Sequence, residues 1–154
     1  VSDRNAAEYT RHAGTLGAAC GHCALAAWLD VPLVIACHTG FEMDGTRLVR
    51  PWVNMPDMEA AFRKCEVSAR SVGYTLPRNG LALIQWQGPW TRPGVPPRVA
   101  CMHRHWIAVR GKSVWDINLE FWESLKAWEA FVCRELMPEK ATGWTVARGY
   151  ELAR

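Results

Sequence analysis

Two runs of residues, 99–110 and 112–118, meet at Gly111 and read as the two strands of an antiparallel hairpin. A two-residue turn fixes which side chains share a face. If the turn is Arg110-Gly111, Val109 pairs with Lys112 and His105 stands opposite Asp116. If it is Gly111-Lys112, Val109 pairs with Val114, and His105 lies opposite Asn118 and diagonal to Asp116. Side chains alternate with period two, so both registers project His105 and Asp116 from one face, whereas a three-residue loop would put them on opposite faces. The same alternation puts Cys101, His103 and His105 together.

The remaining elements fit around this hairpin. Residues 3–12 predict a helix capped by Ser2 and stopped by Gly14, and residues 20–29 a second. A third covers 31–38, with Asp30 as cap, Pro32 in its first turn and Gly40 as its stop. Residues 39–53 read as a loop. Asn54 and Pro56 open another helix, with Met58, Ala61, Phe62 and Cys65 on one face. A strand over 67–74 and a turn at 77–80 lead into the apolar run 81–86, the clearest buried strand. The proline-rich segment 88–98 is a surface loop that rims the hairpin. Asn118 caps a last helix, whose stripe is Phe121, Trp122, Leu125, Trp128, Phe131, Val132 and Leu136. Pro138 ends it, and 144–152 is a closing strand. Helices, then strands, then a helix make an α+β fold with an antiparallel sheet, in a single domain over 1–154.

Composition narrows the class. Hydrophobic residues make up 49% and charged ones 21%, as in a globular chain with its own core. A net charge of +3, with the cations scattered, argues against nucleic acid. No apolar run approaches the roughly 18 residues that a membrane span needs, so no membrane partner is expected. Most of the nine tryptophans belong to the core, although Trp86, Trp90, Trp106 and Trp115 fall on or beside the segments that carry the site. Cys37, Cys65 and Cys133 sit among helix-like apolar residues, where a thiol packs as a small hydrophobe. Reduced cysteines and a cytoplasmic setting follow as expectations.

Chemistry concentrates at Cys20. A glycine-rich lead, Gly14 to Gly17, delivers this cysteine to the start of an apolar helix. Backbone N–H groups at a helix start are unpaired and partly positive, so a thiolate there is stabilised. A histidine (His105) and a carboxylate (Asp116) follow in the hairpin, which suggests nucleophile, base and orienting group.

Cys20-Gly21, Leu25-Ala26, His105-Trp106, the aliphatic residues up to Val109, Gly111 and Asp116 together resemble the papain-like cysteine peptidase superfamily. The similarity is closest to its small bacterial and phage branches, including bacteriocin leader-processing peptidases. The resemblance implies a papain-like fold, with N-terminal helices carrying the nucleophile and packed on the sheet. It implies a thiol peptidase or amidase working through an acyl-enzyme, with no cofactor and no metal. Its substrate would be a protein, peptide or peptidoglycan-type amide. Cys20 carries over as nucleophile, His105 as base and Asp116 as the residue that orients it; an asparagine at that last position would still orient the ring. Such enzymes usually place an oxyanion-hole glutamine just upstream of the cysteine. Here Thr15 is the nearest polar side chain, Gln85 and Gln87 are alternatives from the buried strand, and Trp106 lines the site. Cys23 is the rival nucleophile, because papain itself uses the second cysteine of a Cys-Gly-Ser-Cys-Trp pattern.

Two other readings use the same residues. One is a papain-like fold that binds without catalysing. The other is a zinc site that joins Cys20 and Cys23 to two of Cys101, His103 and His105. His12, His22 and His38 read as ordinary surface or core histidines, and His103 as a reserve base.

Overall fold

The computed structural model describes residues 9, 12–91, 103–119 and 121–154. In chain order, helical residues 12–16 lead to helix α1 (Cys20–Leu29) and helix α2 (Leu33–Gly40). A small hairpin of β1 (Met43–Asp44) and β2 (Arg47–Leu48) precedes helix α3 (Met55–Lys64). Then come β3 (Ser68–Gly73), β4 (Asn79–Gln87), β5 (Arg104–Arg110), β6 (Ser113–Trp115) and β7 (Glu123–Ser124). Helix α4 (Leu125–Phe131) runs on into a π-helical turn (Val132–Leu136), and β8 (Gly143–Ala153) closes the chain. The long strands form one antiparallel sheet in the order β3-β8-β4-β5-β6-β7. The architecture is α+β with an antiparallel sheet.

The apolar run 81–86 becomes the buried middle of the sheet, paired with β5 on one side and β8 on the other. Alternation along β4 divides the core in two. Leu81 and Leu83 pack with the N-terminal helices, and Ala82, Ile84 and Trp86 pack with Trp128 and Val132. The sheet is therefore covered on both faces, by α1 to α3 on one and by the α4 segment on the other.

The hairpin takes the second of its two registers. Val109 pairs with Val114 and Arg110 with Ser113 across a Gly111-Lys112 turn. Gly111 adopts φ 59° at the first central position, where a type II′ turn requires glycine.

Several boundaries differ from those expected. The first helix runs through Gly14 to Leu16 and stops at Gly17, which has φ 72°; the predicted cap and start at residues 2–8 lie outside the described residues. Asp30 does not cap α2. It takes a left-handed conformation that ends α1, and α2 starts after Pro32. Gly40 lies inside α2, where an added Cβ would stand 3.2 Å from Ala61 Cβ; close packing of α2 on α3 keeps it small. Asn118 does not cap the last helix. That helix starts later, and Ser124 Oγ accepts the Ala127 N–H at 3.1 Å. Phe121 is consequently exposed, and Trp122 lies outside the helix. Asn54 does cap α3, accepting the Asp57 N–H at 2.8 Å. Most of the proline-rich loop falls outside the described residues, as does Cys101. The five described cysteines are free thiols. Cys37 is buried, Cys65 half-buried and Cys133 exposed rather than packed. Among the described residues no single helix is long and apolar enough to cross a membrane.

Helix α1 is held at both ends. Arg110 and Arg154 donate to the carbonyls of Trp28 and Leu29, satisfying acceptors that a helix C-terminus leaves open. Trp28 Nε1 donates to Asn79 Oδ1 at 3.0 Å. At the other end Gly21 lets the helix close on its neighbours, since a Cβ there would come within 2.8 Å of Val53 Cβ and 2.9 Å of Trp106 Cδ1. Neither neighbour is the far end of a flexible chain. Gly21→Ala is therefore expected to cost about 1–3 kcal/mol, the scale of overpacking a core. Urea melts of the two proteins measure it, and an unchanged midpoint would show that the helix start is not clamped.

Candidate active site

Cys20 is the first residue of α1, and Ala19 before it has no side chain that caps the helix. His22 fills part of that role, its Nδ1 accepting the Ala19 N–H at 3.0 Å. Burial holds His22 down at about pKa 4, against smaller opposing effects of that bond and of Asp57, so the ring is neutral. It packs edge-on against Phe41. His22 is a satisfied core histidine.

The sheet brings a hydrogen-bond donor to the thiol. Pairing of β6 with β5 stops at Trp115 opposite Ala108. In an antiparallel strand alternate N–H groups point to the same side, so Trp106 directs its own past the end of β6. That N–H donates to Cys20 Sγ at 3.4 Å. The Trp106 ring is fixed by its Nε1–H, which donates to Val53 O at 2.8 Å.

His105 approaches from the other face of the same strand. Its Nε2 lies 2.9 Å from Asp116 Oδ2, with the ring N–H turned off the line to that oxygen. With Nε2 on the carboxylate, Nδ1 is the nitrogen left for the thiol, which is within hydrogen-bonding reach. Thiol, imidazole and carboxylate thus converge.

Asp116 is completely buried and surrounded by donors. Oδ1 accepts the Asn118 N–H at 2.9 Å and Asn118 Nδ2 at 3.0 Å, and Oδ2 accepts Trp128 Nε1 at 3.0 Å. A carboxylate with three hydrogen bonds and an imidazolium beside it retains its charge in the interior. An asparagine there could still orient the ring but would turn its N–H₂ towards one of these N–H groups. Trp128 and Asn118 were legible only as a core residue and a helix cap.

The electrostatics follow from this geometry. Burial pushes the Cys20 thiol up. His105 outweighs it through its hydrogen bond and charge, the Trp106 N–H adds to that, and the net is a thiol below its ordinary value of 9.0. Burial pulls His105 down, but bonds to Asp116 and Cys20 and their charges lift it above 6.5. Burial likewise raises Asp116, and His105, Asn118 and Trp128 bring it below 3.8. These shifts favour the thiolate–imidazolium form of the pair beside an ionised Asp116.

The rival and reserve residues lie elsewhere. Cys23 is fully buried one turn into α1, and burial, with Cys37 and Cys20 nearby, pushes its thiol up. His103 packs against Trp90, with ring centroids 4.2 Å apart and planes tilted by 35°. Thr15 lines a separate cavity with His12 and His38, and Arg47 binds its carbonyl. Gln85 is committed: its Nε2 donates to the carbonyls of Trp86 and His103, and its Oε1 accepts from Arg104 Nε. Gln87 Nε2 donates to Gln85 O. Thr15, Gln85 and Gln87 are thus not brought to the thiol, whereas Trp106 is. Among the described residues no three His, Cys, Asp or Glu side chains are grouped to share a metal ion, and Cys101 lies outside them. A cavity of about 420 Å³ opens beside Cys20, between Trp106 and the segment Trp52 to Pro56.

No family model matches the chain, and searches of curated proteins and of solved structures found no match either.

The thiols should separate by reactivity. Thiolate, not thiol, is alkylated, and a lowered pKa means that the reactive form persists to lower pH. Cys20 is expected to react with iodoacetamide with a midpoint below 9, while Cys23 and Cys37 stay unlabelled in the native protein. Peptide mapping across a pH series reads this out. Labelling of Cys23 first, or a Cys20 midpoint at or above 9, would contradict it. Trp128→Phe keeps the bulk but removes a donor from Asp116. It should cost about 1–3 kcal/mol in a urea melt, the scale of a buried hydrogen bond to a charged group. An equal melt with equal Cys20 reactivity would show that the indole N–H does not support the site.

Proposed function

We propose that the chain is a papain-like cysteine hydrolase that cleaves peptide or other amide bonds through an acyl-enzyme. The observation that supports this most directly is the convergence of Trp106 N–H, His105 and Asp116 on the Cys20 thiol. The resemblance of the cysteine and histidine segments points the same way.

In this reading the Cys20 thiolate attacks the scissile carbonyl carbon, forming a C–S bond and placing negative charge on the carbonyl oxygen. The Cys20 N–H, in the first turn of α1 where amides lack intrahelical acceptors, serves as a donor to that oxyanion. His105, already protonated at Nδ1, gives this proton to the departing nitrogen as the C–N bond breaks. The amine leaves and a thioester remains. His105 then removes a proton from water, whose oxygen attacks the thioester carbon. The carboxylic acid departs, and the thiolate and imidazolium are restored. Asp116 remains ionised throughout and holds the ring by Nε2.

Cys20→Ala and His105→Ala should abolish turnover while the protein still folds. Asp116→Asn should reduce turnover by about 100-fold or more, because a mispositioned His105 loses acid–base efficiency when an N–H₂ faces the N–H groups around residue 116. The pH–rate profile should be bell-shaped. Activity rises as the thiol ionises below 9.0 and falls as His105 deprotonates above 6.5, both limbs belonging to the coupled pair. Suitable substrates are a quenched peptide library, a glutamine side-chain amide and a peptidoglycan fragment. A wild type inert on all three, with Cys20 alkylated no faster than an ordinary thiol, would overturn the proposal.

A further inference from the structure

The cavity beside Cys20 has a mostly apolar lining and one basic residue. Trp52, Val53, Met55, Pro56, Leu83 and Trp106 make its walls apolar, a surface that takes an aliphatic or aromatic side chain. The charged residue on its rim is Arg104, two positions before Trp106 and therefore on the same face of β5.

Arg104 is exposed but not loose. Its Nε donates to Gln85 Oε1 at 3.0 Å. Gln85 is only 7% exposed, and its Nε2 is fixed by two backbone carbonyls. A buried amide thus orients the guanidinium before any ligand arrives, which reduces the entropy lost on binding. Among the described residues the ion pairs are Arg50 with Asp57 and His105 with Asp116, and none involves Arg104. An oriented guanidinium whose terminal nitrogens have no hydrogen-bond partner among the described residues matches the two oxygens of a carboxylate.

We infer that this cavity selects substrates in which a bulky apolar side chain stands beside a carboxylate, and that Arg104 reads the carboxylate. The inference specifies the substrate class for the thiol hydrolase proposed above, and its catalytic consequence rests on that reading. The carboxylate has two sources, an acidic side chain or the free C-terminus of a peptide.

Fluorescently labelled peptides distinguish them when titrated against the Cys20→Ala protein, which binds without turnover. One set is Ala-Ala-Leu-X-Ala-Ala amide with X as Glu, Gln or Lys. The other is Ala-Ala-Leu-Leu as free acid and as amide. If the source is a side chain, Glu binds about tenfold tighter than Gln, the scale of one charge-assisted pair near the surface. If it is a terminus, the free acid exceeds the amide by a similar factor, and Glu equals Gln. In either case Arg104→Gln removes the difference, and Arg104→Glu on the same background reverses it towards Lys or the amide. No carboxylate preference with Arg104 present, or one that survives Arg104→Glu, overturns the inference. The wild type is assayed for cleavage of the same peptides. Charge-selective binding with no cleavage of any amide would remove the nucleophile reading and leave carboxylate recognition standing. Cleavage indifferent to charge would do the opposite.

Discussion

A buried carboxylate organises this molecule. Asp116 has no exposed surface, and its oxygens meet Asn118 twice, Trp128 and His105. Leaving such a charge unpaired in the interior is prohibitive, so each partner is held in place as firmly as Asp116 itself. Trp128 fixes α4 against the sheet, Asn118 fixes the turn after β6, and His105 is left with one ring nitrogen for the thiol. Packing of the second core and orientation of the imidazole are consequences of the same charge.

The second constraint is the shortness of β6. Had its pairing with β5 continued two residues beyond the Ala108–Trp115 pair, Trp106 N–H would be spent in the ladder. Because pairing stops, the start of α1 occupies the gap and Cys20 Sγ takes that donor. The tight approach at Gly21 and the arginines at the far end of α1 position the helix along its length. The thiol thus joins the two cores: it belongs to the helical face, while the imidazole it meets belongs to the other.

Much of this was legible where a short-range rule applies. Gly111 and the alternation around it place His105 and Asp116 on one face, and the apolar run 81–86 reads directly as the central strand. The Asn54 cap is equally local. What escaped depends on long-range contacts. Trp128 falls in an apolar stripe, and nothing in that stripe shows that its N–H meets a carboxylate twelve residues earlier. Asn118 fits the pattern of a cap, but the helix starts at Leu125 because Ser124 offers the cap instead. Thr15 is near Cys20 in sequence yet lines another cavity, because the helical residues 12–16 end at Gly17 and carry it away. Gln85 shares a strand with the site, but its amide is used inside the sheet.

The proposed chemistry depends on the protonation of one ring. The ¹⁵N resonances of His105, followed across a pH series in the wild type and in Asp116→Asn, test it most directly. Both ring nitrogens should carry protons through neutral pH, the ring should lose one only well above 6.5, and Asp116→Asn should bring this midpoint down. A His105 that titrates near 6.5, or is already neutral at pH 7, and that is unmoved by Asp116→Asn, would contradict the thiolate–imidazolium pair from which the chemistry is derived.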